Sequence, residues 1–481
     1  MSTFSALEIG KRSLLAQRFG IDVTSNNISN VNTPGYSRQA PVISESDPYL
    51  TSNGFIGTGS FVDKLRTFRE EYFDKEVRKS VSQQSSYEAD QATLHQVDAY
   101  LTEPSSSGLN ETLTNFFNSW EQASTQPENE AIRATLTSSA KALVSQFHSI
   151  SGDISDARAS LLTKMNQSTD QINSLLSDIG KLNGYIAAGK AQTQGTEAQT
   201  LVDNREVKLE ELSKLVNINV TQGDFGQVNV FVNGINLVTA QNASKLKILQ
   251  SINQNTGEIT ASMVNVDSNE KPLSTVVPQS GEMASNIKHY NTTLDDKESG
   301  SEFSIAKKVD DLAAALAQKV NAFTMNGYGL NDKSGPPPGR HYFDSSTGPI
   351  TASTIEISSD IINEPRNIPM SEKPNEPGNA GIALKIGRLA TDTSFLDGKS
   401  PSQFYSTVIT KLGSMEHDAN NGQTASKLIT DQLQTQRESV IGVNLDEEAT
   451  NVIKFQKAFE AASRIISTTN DMLSTIINLG R

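Results

Sequence analysis

Cysteine is absent from all 481 residues. That rules out disulfide frameworks, zinc–thiolate sites, iron–sulfur clusters and cysteine nucleophiles. Histidine is scarce: His95, His148, His289, His341 and His417 stand far apart, none in a metal-ligand spacing such as HExxH. Glu416-His417-Asp418 reads as a solvated helix face rather than an acid–base site. GxSxG, Walker and EF-hand patterns are also missing. The run Gly54-Phe55-Ile56-Gly57-Thr58-Gly59 lacks a following Lys-Ser/Thr and has the wrong order for a dinucleotide fingerprint, so it reads as a glycine-permitted turn. The expectation is no catalytic residue, no metal and no cofactor.

Positive charge is in deficit. Lys and Arg total 41 against 55 Asp and Glu, a net charge of −14, and the pI is near 5.0. Phosphate binding needs concentrated basic residues, so nucleic acid is not an expected partner. No run approaches the ~18 apolar residues of a membrane span, and none is expected to insert. Residues 1–15 mix Glu8, Lys11 and Arg12 with scattered apolar positions, which does not make a secretory signal. Taken alone, these facts point to the cytoplasm. An apolar fraction of 36% and a mean hydropathy of −0.41 suit elongated helical pieces better than one large globule. The length suggests roughly two to four domains.

What the chain does have is concentrated at its ends. Leu7, Leu14, Ile21 and Ile28 repeat every seven residues, the coiled-coil period. Between Val443 and Leu479 there is no Gly or Pro, and Leu445, Val452, Phe459, Ile466, Leu473 and Ile476 fall on one stripe. A helix of that length is ~55 Å long. The two terminal helices are expected to pair as a coiled coil and to offer their outer faces to other subunits. Asn444, with Glu447 three residues on, reads as a capping box for the last helix. The first helix is expected over Thr3–Val31, ending before Thr33-Pro34-Gly35.

The middle is mostly helical by pattern. A second helix is expected from about Asp63, through Leu65, Phe68, Leu94 and Leu101, to Pro104. A short one over Leu109–Ala123 would bury Phe116, Phe117 and Trp120, and a long amphipathic stretch runs from Glu128 to about Ala188. Near Val216 the period changes to two, and Asn233-Gly234 marks a hairpin between Val228–Val232 and Ile235–Val238. Helix resumes from Ile305. A long proline-rich segment, including 334–377, follows and should drape over the helices or stay mobile. Ser400-Pro401 opens another helix to Ile441, with Asn420-Asn421-Gly422 as the point where loosening is expected.

Two motifs carry a family resemblance. Asn26-Asn27-Ile28-Ser29-Asn30-Val31-Asn32-Thr33-Pro34-Gly35-Tyr36-Ser37-Arg38-Gln39 resembles the N-terminal signature of flagellar rod, hook and hook-associated proteins. Its Gly-Tyr-Ser-Arg-Gln ending is most similar to the hook-associated protein 1 family. Gly442-Val443-Asn444-Leu445-Asp446-Glu447-Glu448 and Phe455-Gln456-Lys457-Ala458-Phe459-Glu460-Ala461 resemble that family's C-terminal motif. Leu113 to Trp120 with Pro127 and Arg133, and Asp203-Asn204-Arg205 leading to Glu211-Leu212-Ser213, are similar to its interior.

The resemblance implies a mainly α chain with a small inserted β-rich domain: paired terminal helices, then a long helical bundle, with the β domain outermost. The expected boundaries are 1–45 with 443–481 for the terminal coiled coil, 46–204 with 283–442 for the helical domain, and 205–282 for the β insert. It implies a structural, non-enzymatic part of the bacterial flagellum at the junction of hook and filament. Its partners would be further copies in a helical lattice, hook protein on one side, a second junction protein and then filament on the other, and an export chaperone at the C-terminal helix. Export by the flagellar type III route uses no cleavable signal, so an extracellular location replaces the cytoplasmic reading. The implied assembly residues are Leu7, Leu14, Ile21, Ile28, Asn26, Asn27, Asn30, Pro34, Gly35, Tyr36, Leu445, Val452, Phe459, Ile466, Leu473 and Ile476. The ends are expected to be disordered in the free chain and to fold as neighbours cover them. Another axial subunit of hook or distal rod, or a cell-wall hydrolase carried on axial-type ends, remains open at this point.

Overall fold

The computed structural model describes residues 3–51, 54–101, 108–192, 198–254, 257–297, 303–345 and 347–479. In chain order, α1 (Thr3–Ser29) leads to β1 (Gln39–Glu45), β2 (Tyr49–Thr51), β3 (Gly54–Ile56) and β4 (Ser60–Thr67). Four helices follow: α2 (Glu71–Leu101), α3 (Leu109–Thr125), α4 (Glu130–Gln192) and α5 (Gln199–Leu215). Then come β5 (Asn219–Gln222), β6 (Val228–Val232), β7 (Ile235–Thr239), β8 (Asn242–Ala243), β9 (Lys245–Ile252), β10 (Ile259–Val266) and β11 (Pro272–Val276). The rest comprises α6 (Glu282–Lys288), α7 (Ile305–Thr324), β12 (Phe343–Asp344), β13 (Glu356–Ile357), α8 (Ser359–Ile362), α9 (Gly381–Gly387), α10 (Pro401–Ile441) and α11 (Leu445–Leu479). The chain is mainly α with small antiparallel sheets.

Two compact units form. The first gathers Met1–Gln83, Gln171–Lys245 and Ser426–Arg481; the second gathers Gln84–Asp170 and Leu246–Ala425.

In the first unit α1 and α11 lie side by side. Gly10 faces Ile466 and Gly20 faces Phe455, so the pair is antiparallel. A Cβ at either glycine would stand 2.8 Å from the facing side chain, closer than packing allows. These glycines therefore act as holes that receive the isoleucine and the phenylalanine. β1 and β4 form a two-stranded antiparallel ribbon with a bulge at Val42/Ile43, and both strands pack on α1. The sheet β5-β6-β7-β8 completes this unit. Its anchor is Asn183 of α4, buried, which donates to Val228 O at 2.8 Å and Ala240 O at 2.7 Å and accepts from Val228 N at 3.1 Å. Asn233 and Gly234 both have positive φ, as a tight hairpin of this hand requires.

The second unit has an aromatic core. Phe116 and Trp120 of α3 meet Tyr342 and Phe343, with Trp120 and Tyr342 centroids 5.1 Å apart. The proline-rich region is pinned by side chain to backbone bonds. Asn321 holds Tyr342 N at 2.8 Å and Phe343 N at 2.9 Å, and the buried Arg133 donates to Ile368 O at 2.8 Å and Pro127 O at 2.8 Å. A separate sheet, β11-β10-β9, lies in this unit.

Several sequence expectations change. Asp63, Leu65 and the residues around them form strand β4 rather than helix, because they pair with β1, Pro41 opposite Leu65. The helix starts only at Glu71, where Glu71 and Asp74 suit the positive end of its dipole. The expected end at Pro104 lies outside the described residues. Helix α1 stops at Ser29, two residues short of Val31. Helix continues to Leu215, and the strands after it form two sheets, β5-β6-β7-β8 and β11-β10-β9. Asn420-Asn421-Gly422 does not loosen α10. Gly422 packs against the Tyr87 ring, where a Cβ would lie 2.5 Å away, so the glycine serves close helix contact.

The glycine holes lead to a prediction. Gly20→Ala gains ~0.5–1 kcal/mol in helix propensity but forces a methyl into a rigid ring, an overpacking cost of about 1–3 kcal/mol. The net expected effect is destabilisation of the α1–α11 pair with the second unit unchanged, read by residue-resolved hydrogen exchange. Faster-than-wild-type exchange in α11 supports this; slower exchange contradicts it.

Candidate assembly interface

The segment after α1 is shaped by its own side chains. Asn30 Nδ2 donates to Asn26 O at 3.0 Å and Asn26 Oδ1 at 3.1 Å, and Thr33 Oγ1 donates to Asn30 Oδ1 at 3.0 Å. These bonds hold a sequence of low helix propensity in its last turn and start the exit. Gly35 then takes φ +75°, and a Cβ there would stand 2.5 Å from Val207 of α5. Only glycine satisfies both demands.

Beyond it, Tyr36-Ser37-Arg38-Gln39 threads into a buried polar cluster. Asn27 Oδ1 accepts from Gln39 N at 3.1 Å and its Nδ2 donates to Gln39 O at 2.8 Å, as a strand partner would. Tyr36 Oη donates to the same Oδ1 at 2.8 Å. The Asn27 amide also donates to Glu448 Oε2 at 2.9 Å. Arg38 reaches Glu448 through Nε and Nη2, both at 2.8 Å, and Glu447 through Nη1 at 2.9 Å. Its backbone N donates to Ile441 O at 3.0 Å, and its guanidinium lies 5.2 Å from the Phe68 ring centre. The side chain of Glu448 is 2% exposed. The first turn of α11 is therefore bound to the exit of α1. Asn444 caps α11 by accepting from Asp446 N at 2.9 Å and Glu447 N at 3.3 Å. The return half of the expected capping box is replaced, since Glu447 turns to Arg38.

A second ion network continues from this root. Asp203 of α5 accepts from Ser37 N at 3.1 Å, Ser37 Oγ at 2.8 Å and Arg69 Nη1 at 3.0 Å. Arg69 also binds Asp74 at 2.7 Å, Arg78 binds Glu206 at 2.8 Å, and Arg437 binds Glu210 at 2.7 Å. Burial pushes the Asp203 carboxyl above the ordinary aspartate range, against the bonds from Gln199 and Ser37 and the charge of Arg69. Burial, reinforced by the Asp203 and Glu448 carboxylates, pushes the Tyr36 phenol up to about 12.

The sequence-predicted residues divide into two groups. Asn27 is buried, Tyr36, Gly35 and Asn30 are half-buried, and all take part in the root, with exposed Asn26 donating to Tyr36 Oη at 3.2 Å. Pro34 is exposed in the turn. Along the helices, Leu7, Leu14, Ile21, Ile28, Val452, Phe459, Ile466 and Leu473 are only half-buried. Leu445 and Ile476 are 50% and 57% exposed. Full burial in the pair falls instead to small or polar residues: Ala16, Val23, Thr24 and Asn27 on α1, and Glu448, Ala462 and Thr469 on α11. Sequence patterning does not single out Arg38, Glu448, Asp203, Arg69 and Arg437 as site residues. Arg38, Glu448 and Asp203 lie within the family-like motifs, but distant ion partners have no local signal.

The root makes two predictions. Glu448→Ala strips a buried acceptor from Arg38 and Asn27 and costs about 3 kcal/mol, whereas Glu447→Ala, which removes an exposed carboxylate, costs less than ~1 kcal/mol. Denaturation midpoints of the two variants should separate accordingly; equal values contradict the assignment. The second concerns alkaline pH. An unfolded tyrosine loses its proton near ~10, while folded Tyr36 holds it to about 12. The folded state thus binds more protons across that interval, so this contribution is full below pH ~10 and is lost as pH rises toward ~12. Tyr36→Phe should flatten the alkaline stability slope there, measured by denaturation at stepped pH.

Residues 94–337, just over half of the chain, match the family described as flagellar hook-associated protein FlgK helical domain. Residues 7–36 match the flagella basal body rod protein family, and 434–479 match the flagellar basal body rod FlgEFG protein C-terminal family. The chain is 27% identical to flagellar hook-associated protein 1 of Bacillus subtilis, covering 99% of this chain and 98% of that protein. It is 23% identical to the Escherichia coli protein of the same name, over 97% and 98%. Among solved structures, the flagellar hook junction protein FlgK from Burkholderia pseudomallei superposes with a TM-score of 0.62 at 14% identity, covering 76% of this chain and all of that one. The chain belongs to the flagellar hook-associated protein FlgK family.

Proposed function

We propose that this chain is a structural subunit of the bacterial flagellum that builds the junction between hook and filament by helical self-assembly through its terminal helices. One observation carries the reading. The α1–α11 pair is fastened at its root by buried polar bonds, yet its apolar stripe stays uncovered: Leu445, Ile453, Ile465, Met472, Ile476 and Ile477 are 48–64% exposed. Exposed apolar area of this extent marks a surface that other chains cover. Further copies related by a screw operation would do so, and repeated head-to-tail contact builds a helical array.

In this reading hook protein contacts the junction on one side, and a second junction protein, followed by filament, on the other. An export chaperone takes the C-terminal helix before assembly. The chain works outside the cell, delivered by the flagellar export route without a cleaved signal. Its role is mechanical rather than enzymatic. The near full-length likeness to proteins named flagellar hook-associated protein 1 supports these roles. Away from the root, the terminal helices are loosely held in the free chain and order fully as neighbours cover them.

Ile476 tests the proposal because it is 57% exposed, so a charge there costs the free chain little. Ile476→Asp, and with it Leu473→Asp, should lower incorporation into the hook–filament junction at least about tenfold, a loss of ~1.4 kcal/mol or more in contact energy. Circular dichroism of the soluble variants should stay at the wild-type level. Normal junctions and normal filament attachment with both variants sink the proposal.

A further inference from the structure

A second apolar feature of the first unit is not used by the helix pair. The ribbon β1/β4 is prolonged by the short hairpin β2–β3, in which Leu50 stands opposite Phe55. Leu50 is 70% exposed and Phe55 73%. A hairpin of two three-residue strands with its main apolar pair facing water has little to hold it, since isolated two-stranded hairpins are marginal. Such a pair calls for a cover.

Its own α1 cannot supply that cover. The ribbon leaves the end of α1 where Gln39 bonds Asn27 and crosses the start of α1 where Gly59 lies against Ile9. The hairpin connects the ribbon strands beyond that crossing. The middle of α1 therefore lies behind it.

The solvent face of α1 carries a matching site. Leu15 and Phe19 are 55% and 39% exposed and four residues apart, so they lie on one face. Lys11 and Arg18, both exposed, flank them. On the hairpin side, Glu45 and Asp47, also exposed, precede Leu50. Apolar pair meets apolar pair, and acidic flank meets basic flank. Complementarity of this kind selects partner and register more than raw affinity.

We propose that the β2–β3 hairpin of one copy docks on the exposed face of α1 in a second copy. Leu50 and Phe55 pack on Leu15 and Phe19, with Glu45 and Asp47 toward Lys11 and Arg18. The contact is head-to-tail, because each copy offers one hairpin and one α1 face. It names a specific contact for the self-assembly proposed above and rests on that reading.

The absence of cysteine makes the test clean. Flagella are isolated from cells expressing Leu15→Cys/Leu50→Cys, each single variant, or the wild type, and treated with a short bifunctional maleimide. The double variant should give a ladder of multiples of this chain, and the single variants none. Incorporation with only single bands, an intrachain product, or a product joined to a different protein overturns the hairpin contact while leaving assembly intact. Wild-type chain missing from the flagella would instead overturn the assembly reading. If the double cysteine variant does not incorporate, charge reversal decides. Lys11→Glu/Arg18→Glu should reduce incorporation about tenfold, and adding Glu45→Lys/Asp47→Lys should restore it. Failure of the fourfold variant to recover overturns the proposal.

Discussion

The fold of the terminal region depends on one buried carboxylate. Glu448 accepts from Asn27 and Arg38 in a place where an unpaired charge could not persist. Its chain position is set by Asn444, which starts α11, and Arg38 is set by Gly35, which lets the backbone pass Val207. Residues more than four hundred positions apart are thereby fixed within hydrogen-bond distance. The ion network at Asp203 and Arg69 ties the same turn to α5 and α2. Polar bonds of this kind specify a geometry, because leaving any partner unmade costs the full desolvation of the rest.

Away from that root the helix pair follows different physics. Gly10 and Gly20 admit Ile466 and Phe455, and the buried seam is otherwise narrow and made of small side chains. The large aliphatics are left at the margins or facing water. A pair built this way is aligned without being sealed. That division suits a subunit that must hold its two ends in register and yet still have apolar area to give to neighbours.

Much of the architecture was legible in the sequence. The heptad of Leu7 to Ile28, the unbroken stripe to Ile476 and the cap at Asn444 correctly announced two terminal helices that pair. Asn233-Gly234 announced its hairpin. What the pattern did not reveal is which residues the pair itself buries, because periodicity marks a face without saying whose partner covers it. Leu7, Leu14, Ile21 and Ile28 lie at the margin of the intrachain seam, and the seam's closest approaches are at Gly10 and Gly20, which no periodicity marks. Leu65 and Phe68 fitted a helical spacing but belong to the end of a ribbon, since their partners, Pro41 of β1 and Arg38 just before it, are set by register rather than by local propensity. The Asp203 network was invisible as chemistry for a similar reason. Ion partners drawn from three distant chain stretches, 69–78, 203–210 and Arg437, leave no local trace.

Hydrogen exchange along α1 and α11 in the purified monomer, compared with the assembled junction, tests the account most directly. It predicts a gradient in the monomer: slowest exchange beside Asn27 and Glu448, and rapid exchange toward Thr3 and Leu479. In the assembled junction, protection should extend over the whole length of both helices. Uniformly slow exchange along both helices of a species shown to be monomeric would contradict it, because the pair would then be sealed without neighbours.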